Sequence, residues 1–156
     1  MRKILTIVCL AVLLGSCIKD NKTCNGVMPS QEETQITAFA AANGITATKH
    51  SSGMYYQIVN QGSGVTPGLY SKVFITYTGS FVKTGTVFDS QTNPGQTGWT
   101  LKDLIEGWQI GLPLIQKGGH IRLIIPSSLG YGCAGQLPTI GSNEVLYFDI
   151  TLVDVQ

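Results

Sequence analysis

Charge is scarce in this chain: only 12% of its 156 residues are Asp, Glu, Lys or Arg, and they sum to a net +1. The few lysines and arginines are scattered, so the basic stripe that a phosphate-backbone binder needs is missing and nucleic acid is excluded as a partner. Histidine is scarcer still. His50 and His120 lie far apart, and neither a His-Glu-x-x-His nor a Cys-x-x-Cys pairing offers metal ligands at useful spacing. There is no Gly-x-Ser-x-Gly elbow for a hydrolase, and Gly62-Ser63-Gly64 lacks the following helix and lysine of a phosphate-cradling loop. No apolar run reaches the ~20 residues that span a bilayer. What remains is one globular domain with 43% hydrophobic residues, enough for a real core, and with no expected cofactor or metal.

The N-terminus stands apart from that domain. Met1-Arg2-Lys3 supplies a positive start and residues 4–14 an apolar run that ends in small residues, the layout of a secretory signal. Its end, Leu14-Gly15-Ser16-Cys17, resembles the lipobox of bacterial lipoproteins, where cleavage before the cysteine is coupled to acylation of its sulfur. An ordinary cleavage site with a chance cysteine is the alternative. The expected organisation is a signal over 1–16, a lipidated Cys17, a polar tether over 17–29, a short helix over 30–44 and a domain over 45–156.

Ser30 with Glu33 reads as a capping box, followed at helical spacing by Ile36, Phe39 and Ala40 until Asn43-Gly44. Beyond Ile45 the pattern changes to strand. Residues 46–50 and 55–59 flank Ser51-Ser52-Gly53 as a hairpin, and His50 reads as a solvated strand residue. Val73, Ile75 and Tyr77 alternate with Phe74, Thr76 and Thr78; residues 86–89 follow a Lys83-Thr84-Gly85 turn. Residues 120–125 make another strand, 126–142 a long loop with four glycines, and 144–155 a closing strand with Leu146, Phe148, Ile150 and Leu152 on one face. The fold class is α+β: a twisted antiparallel sheet wrapped around one short helix, with a second short helix at the N-terminus.

The wrapped helix is the segment from Leu104 to Leu112, in which Leu104, Ile105, Trp108 and Leu112 share one side if all of it is helical. Gly107 and Gly111 each cost roughly 1 kcal/mol relative to alanine in a helix, so something must compensate. At i and i+4 they leave a bare stripe for close approach to a sheet. Pro113 is expected to end the helix.

Aromatic residues gather where strands meet loops, and there the chain resembles a known family, the FKBP-type peptidyl-prolyl cis/trans isomerases. Residues 73–79 end in the family's Tyr-Thr-Gly; Phe88-Asp89-Ser90 matches its Phe-Asp-Ser; Leu104-Ile105-Glu106-Gly107-Trp108 matches its aliphatic pair and Gly-Trp; and residues 124–132 match its Ile-Pro-Ser-x-Leu-Ala-Tyr-Gly. The motifs fall in family order across residues 52–155. The resemblance implies a proline pocket with Trp108 as its floor and Tyr77, Phe88, Trp99, Leu104, Ile105 and Phe148 as walls. It further implies that Asp89 lies at the edge, that Tyr131 and Ile140 reach in from the long loop, and that the Ile105 N–H holds a substrate or macrolide carbonyl.

The departures from the pattern are Gly141-Ser142 where Pro-Pro often follows the flap isoleucine, Gln136-Leu137 in place of a flap histidine, and Trp99 in place of phenylalanine. They imply a looser flap and a narrower wall.

Together these features lead to the expectation of a lipid-anchored prolyl isomerase in the bacterial envelope, on its periplasmic side or the cell surface. Its partners would be unfolded or proline-containing exported polypeptides and macrolide inhibitors, with the membrane reached through the anchor. The rival reading is a non-catalytic chaperone or peptide-binding lipoprotein using the same pocket, since fold alone never fixes function. Once Cys9 leaves with the signal and Cys17 is acylated, Cys24 and Cys133 remain, and both a disulfide and two separate thiols stay open.

Overall fold

Period-two burial builds the sheet. In the computed structural model, which describes residues 24–156, the elements run α1 (Pro29–Ala42), β1 (Thr48–Lys49), β2 (Tyr55–Asn60), β3 (Lys72–Phe81), β4 (Val87–Gln91), β5 (Trp99–Thr100), α2 (Glu106–Gly111), β6 (His120–Ile125) and β7 (Leu146–Val155). The expected signal over 1–16 and the expected lipidated Cys17 lie outside the described residues. All strand pairings are antiparallel, in the order β1-β2-β6-β7-β3-β4 with β5 on β3. This is the expected α+β fold, one antiparallel sheet with one short helix across it and a second at the N-terminus.

The inner face is set by Val73, Ile75 and Tyr77 of β3, Ile121, Leu123 and Ile125 of β6, and Leu146, Phe148, Ile150 and Leu152 of β7, all buried. The register places Gly79 opposite Phe148 and Tyr77 opposite Ile150, so the two long strands present one continuous apolar surface. Onto it sits α2, with Trp108, Leu112 and the following Ile115 in the same core.

The glycine stripe seats this helix. A Cβ on Gly107 would come within 2.6 Å of the Ile125 side chain, and one on Gly111 within 2.6 Å of Leu123. The helix is shorter than its apolar spacing suggests: Leu104 and Ile105 are extended, and Ile105 is the N-cap. The α-helix ends at Gly111, just before Pro113, as expected. Leu112–Leu114 continues as a single 3-10 turn, in which proline's fixed φ fits and its missing N–H costs nothing.

The N-terminal helix starts earlier than its capping pattern indicates. Pro29, not Ser30, opens it, because proline's φ suits the first helical position, and Met28 is the N-cap. The Gln31 side chain accepts from the Met28 N–H at 3.1 Å. The Glu33 side chain instead reaches out from the helix, accepting from Lys49 Nζ at 2.8 Å and from the Tyr55 hydroxyl at 2.6 Å. Asn43 forms the C-cap and Gly44 takes φ +63°.

This helix covers the opposite sheet face, where Ile36 and Ala40 join Tyr55, Ile124, Val82 and Val145 in a second core. The same face carries Asp149, which accepts from Arg122 Nε at 3.1 Å and meets His120 and the Tyr147 hydroxyl. Burial pushes the Asp149 carboxyl up, but hydrogen bonds from His120 and Arg122 outweigh it and hold the group below its ordinary value.

Replacing Gly107 or Gly111 with alanine should destabilise the protein by about 1–3 kcal/mol in denaturant unfolding, the range for overpacking a filled core. Helix propensity alone argues for a gain of ~1 kcal/mol. A stabilised alanine variant would show that these glycines do not seat the helix.

Candidate functional site

Strand ends, the head of α2 and the long loop converge on one cavity of about 500 Å³. Tyr77 comes from β3, Phe88 and Asp89 from β4, Trp99 from β5, Trp108 from α2, Phe148 from β7, and Leu104 and Ile105 from the extended entry to the helix. Tyr131 closes the cavity from the loop. Every one of these expected residues lines it. Ile140 does not: it is 2% exposed, packed into the core, and bridged to Gln136 through Gln136 N–H to Ile140 O at 2.8 Å. An isoleucine in the core gains more from burial than from facing an open cavity, and Gln136 takes the lining position.

The rings hold one another edge to face. Trp108 meets Tyr77 at 5.1 Å and Phe148 at 5.0 Å between centroids, at 76° and 82°, and Phe88 meets Phe148 at 5.7 Å and 89°. Edge-to-face contact matches the positive ring edge to the negative ring face, worth ≈ 0.5–1.5 kcal/mol per pair beyond area burial. Gly79 makes room for the cluster, since a Cβ there would fall 2.6 Å from Phe148 and 2.8 Å from Phe88. A glycine in mid-strand weakens the strand, and here the space it leaves is filled by aromatic rings.

Two hydrogen-bonded braces fix the walls. Thr97 Oγ1 accepts from the Ile75 N–H at 2.9 Å, tying the loop before Trp99 to β3. Gln109 Nε2 donates to the carbonyls of Leu104 at 2.7 Å and Lys102 at 3.0 Å, which holds the extended entry to α2. The Ile105 N–H has no hydrogen-bond acceptor among the described residues.

The polar inventory is short. The Tyr77 hydroxyl donates to Asp89 Oδ2 at 2.6 Å. Burial, then the Asp89 hydrogen bond and charge, push Tyr77 far above the ordinary tyrosine value; burial and the Asp89 charge also raise Tyr131. Both hydroxyls are therefore neutral donors at any physiological pH. No lysine, arginine, histidine, serine or cysteine lines the cavity, and no cluster of metal-ligating side chains occurs among the described residues. Such a site can strip water from an apolar ring and offer a few directed donors, and its lining contains no base-activated serine, cysteine or lysine nucleophile.

Sequence reasoning did not reach three further lining residues, Thr100, Asp103 and Gln136. Thr100 and Asp103 flank motif residues and could have been found by extending the Trp99 and Leu104 motifs. Gln136 stands where the family flap histidine was noted as absent. The alternative left open for the cysteines is decided too: Cys24 and Cys133 form a disulfide, with Cα atoms 5.4 Å apart.

A model of the FKBP-type peptidyl-prolyl cis-trans isomerases matches residues 64–153. The chain belongs to this family. FKBP-type relatives include FkpA of Escherichia coli (strain K12), 39% identical over 119 residues that cover 76% of this chain and 43% of FkpA. Mip of Coxiella burnetii is 36% identical over 107 residues, covering 68% of this chain and 46% of Mip. The chain thus spans about half or less of the length of these curated relatives. Among FKBP-family structures, the peptidyl-prolyl cis-trans isomerase of Pseudomonas syringae pv. tomato superposes with TM-score 0.71 at 28% identity, covering 83% of this chain and 93% of that one. Crystalline Escherichia coli FkpA superposes with TM-score 0.67 at 32% identity, covering 83% and 59%.

The tyrosine environment has a readout that needs no substrate. Folding keeps Tyr77, Tyr131 and Tyr147 protonated, so their contribution to stability is full below the unfolded tyrosine pKa near ~10 and is lost as pH rises beyond it. In an alkaline absorbance titration, Asp89→Asn should let Tyr77, which loses both the hydrogen bond and the charge, and Tyr131, which loses the charge alone, ionise at lower pH than in the wild type. Superimposable titrations would mean that Asp89 does not govern Tyr77.

Proposed function

We propose that the cavity catalyses cis/trans isomerisation of X-Pro peptide bonds in exported polypeptides. The observation that carries this reading is an aromatic cavity with Trp108 at its floor, an unengaged Ile105 N–H beside it, and no lysine, histidine, serine or cysteine in its lining.

The chemistry asks for no more than that. Rotation about an X-Pro bond crosses a barrier of about 18–20 kcal/mol set by amide resonance. The planar amide is more polar than the twisted one, so a cavity that removes water penalises the ground state more than the transition state. Trp108, Phe148 and Tyr77 take the pyrrolidine ring. The Ile105 N–H binds the carbonyl of the bound segment, while the neutral Tyr131 hydroxyl stabilises the twisted geometry. Asp89 holds Tyr77 in place through its hydrogen bond. A macrolide would compete for the same cavity.

The domain should accelerate X-Pro isomerisation, which uncatalysed takes tens of seconds at 25 °C. Phe88→Ala and Asp89→Ala should each lower kcat/KM by roughly five- to ten-fold, the loss of ~1 kcal/mol or slightly more of contact in the transition state. Purified domain that leaves both a prolyl peptide and a proline-limited refolding phase at their uncatalysed rates would overturn the isomerase reading and favour a binding module.

The reading includes an anchor. Residues 1–16 are proposed as a lipoprotein signal and Cys17 as the acylated mature N-terminus, placing the domain in the bacterial envelope; acyl chains contribute ~0.8 kcal/mol per buried methylene. In membrane fractionation the wild type should sediment with membranes, and Cys17→Ser should not. Equal partition of both into the soluble fraction would contradict the anchor.

A further inference from the structure

We propose that the segment from Cys24 through α1 positions the cavity wall that carries Tyr131 and Gln136, with Glu32 as the positioning residue. The inference rests on the isomerase reading of the cavity. The segment lies outside the family match, which begins at residue 64.

Glu32 is 7% exposed and forms no ion pair among the described residues. A carboxylate is costly to bury without a partner, and its partner here is a backbone donor. Glu32 Oε2 accepts from the Ser127 N–H at 2.8 Å, across 95 positions of sequence. Ser127 opens the turn that leads to the cavity loop, and its carbonyl accepts from Gly132 N–H at 2.8 Å. The Glu32 contact therefore passes through one residue to the neighbour of Tyr131.

Two further ties reach the other side of that tyrosine. Cys133 is bridged to Cys24. Asn143, whose N–H donates to the Gly132 carbonyl at 2.9 Å, also donates from Nδ2 to the Asn25 carbonyl at 3.1 Å. Gly132 and Cys133, the residues after Tyr131, are thus held from α1 and from the strand of chain entering it. Packing α1 on the sheet would need none of these contacts, since Ile36 and Ala40 already supply the apolar face. The loop lacks the prolines usual after Ile140, and these ties restrain it instead.

The test compares Glu32→Ala, Glu32→Gln and the double variant Cys24→Ser/Cys133→Ser, all well below their melting temperatures. Glutamine keeps an oxygen that can accept from Ser127. The expected result is a loss of about three- to ten-fold in kcat/KM for an X-Pro peptide in Glu32→Ala and in the double variant, carried mainly by KM, with Glu32→Gln within about two-fold of wild type. Amide hydrogen exchange over residues 127–136 should quicken in the same two variants while β6 and β7 stay protected. Wild-type kinetics and loop exchange in both Glu32→Ala and the double variant would overturn the proposal, whatever their melting temperatures. If Glu32→Ala does not fold, the double variant alone decides. An inactive wild type would sink the isomerase reading while the exchange comparison still decides the positioning role.

Discussion

The approach of a two-glycine helix face to the β6 side chains Ile125 and Leu123 is the contact on which the rest of this structure depends. Only a helix without Cβ atoms at those two positions can lie so low in the sheet. That depth puts Trp108 within edge-to-face distance of both Tyr77 and Phe148, which belong to neighbouring strands. It also brings the extended Leu104-Ile105 entry to the cavity rim with its amide unengaged. The helix is too short to form by itself, and its conformational cost is met by the core it completes.

Seen from the cavity, the same contact explains why the site is chemically quiet. Aromatic rings packed against one another supply an apolar, shaped and rigid surface, and the Tyr77 and Tyr131 hydroxyls are kept neutral by burial and by Asp89. A reaction that breaks no covalent bond and moves no proton suits such a surface. The opposite sheet face, on which α1 packs, carries the titratable cluster around Asp149 instead.

Much of this was readable in the chain. The glycine spacing of α2 and the strand alternation announced the sheet and its helix, because period-two and i, i+4 patterns are local signals, whereas the cavity residues from Tyr77 to Phe148 were legible only through the resemblance of their motifs to a known family. What the sequence hid was contact between distant segments. Ser30 looked like a cap until Pro29 took the first helical position, and Ile140 looked like a cavity residue until core burial claimed it. Nothing in the local pattern around Glu32 reveals that it meets the Ser127 amide. The cysteine pair was visible as a parity argument only. Gln136 and Asp103 line the cavity by virtue of where their neighbours sit.

The central claim is that an X-Pro segment occupies the aromatic cavity with its ring on Trp108. The most direct measurement is a crystal structure of the protein with a bound X-Pro peptide. The account predicts the pyrrolidine ring in van der Waals contact with the Trp108 indole and a peptide carbonyl accepting from the Ile105 N–H. A peptide bound on the outer sheet face, or one in the cavity with its proline pointing to solvent, would contradict it.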